Sequence, residues 1–395
     1  MTSSSSNPGR WYLGACLLLI AFNLRPLFSS LSVLLPEVAA GLHISGAMAG
    51  YLTTLPVLCM GLFAPFAPTL ADRFGAERTL LFVLILIGVG TALRAGGDTL
   101  VLFAGTTIAG AGIAMGNVLL PSVVKRDFPD RVAAMTGLFT MSLCGGAAAG
   151  AAFTVPISSE FGGSWQIGLV AWAVPALIVA LLWLPRSWVP PTQHGARKLP
   201  KLSLWHDGLA WQVACFMGLQ SALAYCVMGW MAPILRWRGM DGAEAGLYVS
   251  LSIMVQVVTC LLVPMAATRF RTQSWFNVGL ALVAAVALLG LLVAPVGWLP
   301  AIALLQGAGQ GGLFALAMTV IILRSPDARA AARLSGMAQA VGYLLAAFGP
   351  LLVGVLHSAT GSYAVTGWLF VALGLGAVLS GWGAGRARLV QPRGG

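Results

Sequence analysis

Charged residues are scarce in this sequence, and carboxylates are the scarcest. Of 395 residues, 8% are Asp, Glu, Lys or Arg, and only 11 are acidic. A soluble domain carries about 25% charged residues, so a soluble globular protein is excluded. Apolar runs of about 18 residues or more recur along the chain, which indicates an integral membrane protein. They lack the roughly ten-residue alternation of barrel strands, so the spans are predicted to be helices.

Cysteine and histidine are also few. The six cysteines lie inside apolar runs without the spacing of metal ligands, and the four histidines lie at the ends of runs or in a linker. We therefore expect reduced, packed cysteines and no metal or catalytic cluster. The glycine spacing of Gly110–Gly116 resembles a dinucleotide loop, but no strand or βαβ unit surrounds it, so we expect no cofactor. The chain is predicted not to be an enzyme.

Twelve apolar runs are long enough to cross a bilayer. Their predicted bounds are 11–36, 46–70, 79–96, 99–124, 132–156, 165–185, 208–236, 243–267, 275–295, 299–323, 331–356 and 363–383. The longest hydrophilic break divides them six and six. We predict a disordered N-terminal tail, a first six-helix bundle, a cytoplasmic linker, a second six-helix bundle and a cytoplasmic C-terminal tail at residues 1–10, 11–185, 186–207, 208–385 and 386–395.

The basic residues indicate the orientation in the membrane. If the N-terminus is cytoplasmic, 18 of the 22 Lys and Arg residues fall on the cytoplasmic side. Only Arg94, Arg236 and Arg238 fall on the outer side. Cytoplasmic loops carry the excess of Lys and Arg, so both termini are predicted to be cytoplasmic. The net charge of +11 thus reflects the orientation of the spans in the membrane. We expect the lipid bilayer as a partner and no nucleic acid.

The two halves of the chain repeat each other at one offset. Three pairs of residues are each 197 positions apart: Pro36 and Pro233, Gly110 and Gly307, and Pro129 and Pro326. A repeat of six spans keeps its orientation in the membrane, so the halves are related by an axis along the membrane normal. Transporters with this arrangement bind their substrate near the midplane, between the halves.

The loop after the second run carries a family motif. Leu70–Arg78 reads LADRFGAER. It resembles the signature G-x-L-x-D-R-x-G-R-R of the major facilitator superfamily, although Pro68 replaces the first Gly and Ala76-Glu77 stand where basic residues are usual. The resemblance implies an all-α membrane protein with twelve transmembrane helices, the major facilitator fold, in two pseudo-symmetric six-helix halves. It also implies a conformational latch at the cytoplasmic face, formed here by Asp72, Arg73, Gly75 and Arg78.

Longer strings resemble one branch of that family. Asn23-Leu24-Arg25-Pro26, Gly112–Asn117 and Gly218–Ser221 are similar to the cyanate transporter and 2-nitroimidazole transporter branch. The resemblance implies a bacterial inner-membrane transporter of a small anion or a small heteroaromatic solute. It would work by rocker-switch alternating access, and we expect a monomer.

Arg25 is predicted to be the only charged residue buried within a run. It lies about 14 residues past Trp11, roughly 21 Å along a helix and near the middle of a hydrocarbon core about 30 Å thick. Pro26 disfavours helical geometry at Arg25 and leaves the Phe22 carbonyl without its helical hydrogen bond, so we expect a bent or broken helix. A cation at this depth usually faces a polar cavity, and a bound anion would supply its counter-ion. Alternatively, Arg25 bonds freed carbonyls and merely joins the halves.

The sequence favours a small monovalent, cyanate-like anion as the substrate, bound by the guanidinium fork of Arg25. The alternative is export of a neutral or weakly ionised heteroaromatic such as 2-nitroimidazole, which would stack on or hydrogen-bond to the flat guanidinium. The repeat equivalent of Arg25 is Ala222, so charge recognition would be one-sided. Other polar residues on cavity-facing spans are candidates either for substrate binding or for hydrogen bonds between helices. They are Gln220, Tyr225, Asn117, Gln310, Gln339 and Tyr343.

The carboxylates bear on coupling, because all eleven are predicted at span ends or in loops. A buried acid that exchanges its proton for substrate is therefore not indicated. A cell interior negative by 100 mV opposes the entry of one negative charge by about 2.3 kcal/mol. Uptake of an anion would thus need a co-transported proton or an exchanged counter-anion, whereas export would not.

Overall fold

A computed structural model describes residues 8–129, 132–188, 202–391 and 393–394. Within these ranges twelve helical spans are long and apolar enough to cross a membrane, which confirms the predicted number. The helices are α1 Pro8–Asn23, α2 Pro26–Leu42, α3 Gly46–Phe63, α4 Phe66–Phe74, α5 Ala76–Leu93, α6 Thr99–Asp127, α7 Val132–Glu160, α8 Trp165–Val170, α9 Ala173–Ser187, α10 Gly208–Trp237, α11 Gly242–Ala267, α12 Ser274–Val293, α13 Leu299–Leu323, α14 Ala328–Thr360 and α15 Thr366–Ala384. Two short strands, β1 Leu202–Ser203 and β2 Arg393–Gly394, pair antiparallel.

Prolines divide the first two spans into shorter helices. The first span consists of α1 and α2, and it breaks at Leu24 and Arg25, immediately before Pro26. Arg25 has φ −119° and ψ −27°, outside ideal helical geometry. The second span consists of α3 and α4, which are separated at Ala64 and Pro65. The break predicted from Pro26 is therefore present.

Carboxylates at the span ends cap helices. The side chain of Asp98 accepts hydrogen bonds from the backbone N–H groups of Leu100 and Val101 at the start of α6. Asp207, Asp241 and Asp327 cap α10, α11 and α14 in the same way. An N-terminal turn leaves backbone donors without helical partners, and an Asp side chain satisfies them at the membrane surface.

The spans are arranged as two bundles that meet along three helix pairs. Within the first half α5 packs against α6 and α9, and within the second half α12 packs against α13 and α15. Between the halves α2 packs on α10, α3 on α14 and α7 on α11. The first and seventh spans are the most buried of the twelve, as expected for helices near the axis. We call the face at which α1 begins the N-terminal face, and the opposite one the distal face.

Part of the predicted N-terminal tail is helical, and the C-terminal tail pairs with the linker. A disordered tail was expected over residues 1–10, but α1 already begins at Pro8, and Arg10 donates to the Asp127 carbonyl. Proline suits the first turn of a helix because its missing N–H would be unpaired there anyway. Residues 1–7 lie outside the described part of the chain. The C-terminal tail pairs with the linker through β2, and the backbone N–H of Val390 donates to the Arg324 carbonyl.

The predicted end of the first span is wrong. It was placed at Pro36, but α2 continues to Leu42 with Pro36 inside it, so Glu37 lies within the span. A helix packed inside protein tolerates proline because neighbouring groups satisfy the freed carbonyl or cover it. Glu37 is therefore an exception to the prediction that every carboxylate lies at a span end or in a loop.

Buried charges also occur at the ends of spans, which the sequence did not predict. Glu77, Arg94 and Arg324 are 6%, 0% and 4% exposed, whereas Arg25 keeps part of its surface accessible. All three lie where a span begins or ends. Arg94 had been predicted only to lie on the outer side. Long side chains at span ends can reach carbonyls of neighbouring helices, which a linear pattern of hydrophobicity does not reveal.

Candidate functional site

The broken first span places Arg25 at the carboxyl end of α1. Unpaired carbonyls at a helix end carry partial negative charge, which favours a cation there. Helix α7 packs directly against this break. A Cβ built on Gly146 would lie 1.9 Å from the Phe22 carbonyl oxygen, and one on Gly150 would lie 3.1 Å from the Pro26 Cα. Glycine at these two positions therefore allows α7 to touch the backbone on both sides of Arg25.

The Arg25 guanidinium has few polar contacts with the residues that the structure describes. Its Nη1 lies 4.0 Å from the sulfur of Met228, and its Cζ lies 5.8 Å from the centroid of the Phe28 ring. Its Nε is buried and has no hydrogen-bond partner. Among the described residues no carboxylate forms an ion pair with it. The side chain is half-buried, so neighbouring backbone does not seal it off. Arg25 is thus an unneutralised donor group in the centre of the protein.

An aromatic layer lies beside this cation. The rings of Phe28 and Tyr225 stack with centroids 5.7 Å apart, and the rings of Tyr225 and Tyr343 meet edge to face at 6.3 Å. The Tyr225 hydroxyl donates to the sulfur of Met60 at 3.2 Å. Aromatic rings and thioethers beside a guanidinium make a surface that suits a flat, polarisable molecule.

A cavity of about 310 Å³ lies between the two halves, next to this layer. Its walls come from the end of the second span, the middle of α6 and the first half of α14. Its lining residues are Met60, Gly61, Ala64, Pro65, Ala114, Asn117, Val118, Ser335, Gly336, Gln339, Ala340 and Tyr343. These segments are nearer the N-terminal face than the distal face. Met60 and Tyr343 join the cavity to the aromatic layer, and Arg25 lies beyond them.

Three of the predicted substrate-binding residues line this cavity. Asn117 donates to the Ile113 carbonyl at 3.0 Å, which leaves its side-chain oxygen available, and Gln339 donates to Ser335 Oγ at 2.8 Å. Tyr343 contributes its ring. All three remain candidates for substrate contact.

Gln220 and Gln310 are placed differently. Both are buried, and Gln310 Nε2 donates to the backbone carbonyl of Gln220 at 3.1 Å and to its Oε1 at 3.3 Å. Gln220 in turn donates to Ser221 Oγ at 2.8 Å. Neither glutamine lines the cavity. The pair joins α10 to α13, which is the alternative that the sequence left open.

The predicted latch residues surround a tight turn between α4 and α5. Gly75 has φ +88°, a conformation that favours glycine, and so it fits the motif. Arg78 donates to the Ser187 carbonyl at 3.1 Å, within its own half. Asp72 and Arg73 are exposed. The ion pairs between described residues include none that joins this turn to the second half, and the latch role of these residues stays a prediction.

Sequence reasoning missed a partly buried ion pair next to this turn. Glu77, one of the departures from the family motif, pairs with Arg126 at 2.6 Å, and Arg126 also pairs with Asp127 at 2.8 Å. In the second half Arg324 donates to the side chain of Gln273 near the matching place. An acidic residue in the first turn of α5 with a basic residue at the end of α6 was the available signal.

The chain matches known proteins along nearly its whole length. The model of the Major Facilitator Superfamily matches residues 13–236. An uncharacterized transporter of Bacillus subtilis (strain 168), YycB, is 40% identical and covers 95% of this chain and 93% of its own. The 2-nitroimidazole transporter of Escherichia coli (strain K12) is 39% identical and covers 99% and 100%. The cyanate transport protein CynX of the same organism is 28% identical and covers 90% and 92%.

Solved structures share the fold at low sequence identity. An inward-facing, occupied bacterial homolog of the human lysosomal transporter Spinster has a TM-score of 0.75 at 17% identity, covering 96% of this chain and 94% of its own. The inward open xylose transporter XylE from E. coli has a TM-score of 0.76 at 14% identity, covering 97% of each chain.

Proposed function

This chain is a member of the Major Facilitator Superfamily, and on that premise we propose that it moves a small planar heteroaromatic solute by rocker-switch alternating access, with Arg25 binding the polar end of the solute. The chain is a multi-pass membrane transporter rather than an enzyme. The solute would enter the cavity between the halves and stop at Arg25. A nitro group offers two oxygens in a plane, which suits the planar fork of a guanidinium.

One observation carries this proposal. The unneutralised guanidinium of Arg25, with Nε free, lies against the stacked rings of Phe28 and Tyr225. The adjoining cavity of about 310 Å³ falls at the lower end of the ~300–1,000 Å³ typical of small-molecule sites. A ring compound with one polar group would use both the cation and the rings. The relative that covers the whole chain at 39% identity and is named a 2-nitroimidazole transporter supports the same solute class.

A small monovalent anion such as cyanate is the second candidate. Arg25 has no ion-pair partner among the described residues, so an anion would neutralise it. The 28% identical cyanate transport protein supports this reading. A linear triatomic ion would, however, leave most of the cavity and the aromatic layer unused. We therefore place the heteroaromatic solute first.

The cellular setting is part of the proposal. The excess of Lys and Arg on one side of the spans supports a bacterial inner membrane location with both termini, and hence the N-terminal face, in the cytoplasm. An anionic solute would need a proton or a counter-anion for uptake, because the membrane potential opposes its entry by about 2.3 kcal/mol per 100 mV. A neutral ring compound would not meet that barrier.

Substrate binding to purified variants tests the proposal. We expect 2-nitroimidazole to bind the native protein and Arg25→Ala to weaken binding about tenfold or more, since a hydrogen bond to a charged group contributes about 1.5–3 kcal/mol. Arg25→Lys keeps the charge but loses the planar fork, so it should recover part of the affinity. Isothermal titration with 2-nitroimidazole and with cyanate compares the two candidates directly.

The matched control is Arg238→Ala. Arg238 donates to the Leu291 and Ala294 carbonyls within the second half at the distal face, so its loss should leave solute binding unchanged. Native-like affinity in a folded Arg25→Ala protein contradicts the proposal. Tight binding of cyanate with none of 2-nitroimidazole reverses the order of the two candidates.

A further inference from the structure

The two halves are closed against each other at the distal face. Three contacts between small groups join them: Ser32 Oγ to the Gly229 carbonyl at 3.1 Å, Gly50 against Gly354, and Gly246 against Ala151. A Cβ built on Gly354 would lie 2.5 Å from the Cα of Gly50, so the helices touch backbone to backbone. The cavity lies on the other side of these contacts, nearer the N-terminal face.

One ion pair crosses the same interface. Glu37 Oε2 on α2 lies 2.7 Å from Arg236 Nη1 on α10, and Nη1 also donates to the Val33 carbonyl at 3.2 Å. The side chains are 34% and 24% exposed, so water reaches the pair only in part. Of the ion pairs among the described residues, this one alone joins the two halves. It lies about 18 Å from Arg25 along the helix, on the distal side.

We propose that Glu37 and Arg236 are the distal gate of this transporter, a pair that must separate each time the distal face opens. The inference rests on the alternating access of the proposed function, but it concerns the gate and not the solute. The three contacts between small groups involve no charged partner. A charged pair with a backbone acceptor instead holds one arrangement and releases it as a unit.

The pair has no symmetric copy. At the repeat offset of 197 the counterparts of Glu37 and Arg236 are Ile234 and Ala39, which carry no charge. The charge contact is therefore not needed to build the repeat. We therefore assign the pair a role in the conformational equilibrium, because it lies between two halves that move apart.

The accessibility of added cysteines tests the gate without any substrate. Ser32→Cys reports on the distal interface, where Ser32 is buried, and Ser335→Cys reports on the cavity. A maleimide labels each purified variant, and mass spectrometry of the peptides separates the added thiol from the six native free cysteines. In the Glu37→Gln background we expect the labelling rate at Ser32→Cys to rise about two- to fivefold, the range set by a partly exposed ion pair. The rate at Ser335→Cys should fall.

Two further variants make the test decisive. The double variant Glu37→Arg with Arg236→Glu restores the pair with reversed charges, and it should return both labelling rates toward the native values. Arg238→Gln removes a neighbouring arginine that bonds only within its own half, so it should change neither rate. The proposal is overturned if Glu37→Gln matches Arg238→Gln at both probes, or if the charge reversal does not restore the rates.

These outcomes are independent of the solute. A protein that binds neither 2-nitroimidazole nor cyanate would still show the labelling change if the gate is as proposed. Conversely, a transporter of either solute with unchanged labelling would retain its proposed function and lose only the gate.

Discussion

Ser32 donates a hydrogen bond to the carbonyl oxygen of Gly229 at 3.1 Å, and the two residues are 197 positions apart in the chain. That separation is the offset of the internal repeat. Two residues that are equivalent under a twofold relation can touch only where they both lie close to its axis. The contact therefore marks the point at which the first and seventh spans cross at the pseudo-twofold axis.

The position of the Ser32–Gly229 contact indicates how deep Arg25 lies in the protein. Arg25 lies seven residues before Ser32, which is roughly 10 Å along the helix toward the N-terminal face. The distal closure and the cavity thus lie on opposite sides of one layer, formed by Arg25, Phe28 and Tyr225. A solute bound at this layer would lie between the distal closure and the cavity, as alternating access requires.

Gly146 and Gly145 should respond oppositely to the same substitution. A Cβ at Gly146 would overlap the Phe22 carbonyl, whereas one at Gly145 meets nothing within 4 Å. We expect Gly146→Ala to destabilise the protein by about 1–3 kcal/mol, because neither backbone can move without separating α7 from α1. Gly145→Ala should be neutral or stabilising by up to about 1 kcal/mol, since alanine is the better helix former. Thermal unfolding in detergent measures both, and equal melting temperatures would contradict the close approach.

Substitution of Tyr343 should affect the binding of the two candidate solutes differently. Its ring lines the cavity and meets the Tyr225 ring edge to face. Tyr343→Ala removes the ring, and we expect it to weaken 2-nitroimidazole binding about two- to tenfold, since an aromatic contact contributes about 0.5–1.5 kcal/mol. Tyr343→Phe keeps the ring and should retain binding. Cyanate has no ring, so its binding should respond little to either change. Equal losses of 2-nitroimidazole affinity in Ala and Phe would assign the role to the hydroxyl instead.

Substitutions at Glu77 and Asp72 should affect different properties: Glu77 should matter for stability, and Asp72 for transport. Glu77 is buried and paired with Arg126 at 2.6 Å, so Glu77→Ala should lower the melting temperature through a loss of about 1–3 kcal/mol. Asp72 is exposed and forms no ion pair with the residues that the structure describes, so Asp72→Asn should leave the melting temperature nearly unchanged. If Asp72 belongs to the latch, the same variant should slow transport in proteoliposomes. Native transport by Asp72→Asn would remove it from the latch.

Arg94 and Arg324 are both buried, but among the described residues Arg324 has several hydrogen-bond acceptors and Arg94 has one. Within the described part of the chain, Arg94 donates from Nη1 to the Leu27 carbonyl at 3.3 Å, and its Nε and Nη2 have no partner there. Arg324 donates to the Ala384 and Gly385 carbonyls and to Gln273. Because each unsatisfied buried donor costs about 1–3 kcal/mol, Arg94→Met should leave the melting temperature unchanged or raise it. Arg324→Met should lower it. A large fall in Arg94→Met would mean that water or another group satisfies those donors.

The amino-acid sequence by itself determined the twelve spans, the repeat and the break at Arg25. The number of spans follows from the lengths of the apolar runs, because a helix in lipid must satisfy the hydrogen bonds of its own backbone. The break follows from Pro26, whose effect reaches only four residues back and needs no distant partner. The loop signature and Gly75 likewise depend on local backbone geometry, which a short string specifies.

Only the tertiary structure decided which polar residues face the cavity. Gln220 and Gln310 pair with each other, whereas Asn117 and Gln339 line the space between the halves. Helices that are apolar on all sides carry little periodic signal, so the sequence does not indicate which way a single polar side chain points. The contact of Glu37 with Arg236 joins residues 199 positions apart and exists only because the two bundles dock. Such contacts depend on how rigid bodies meet, and no local pattern encodes that.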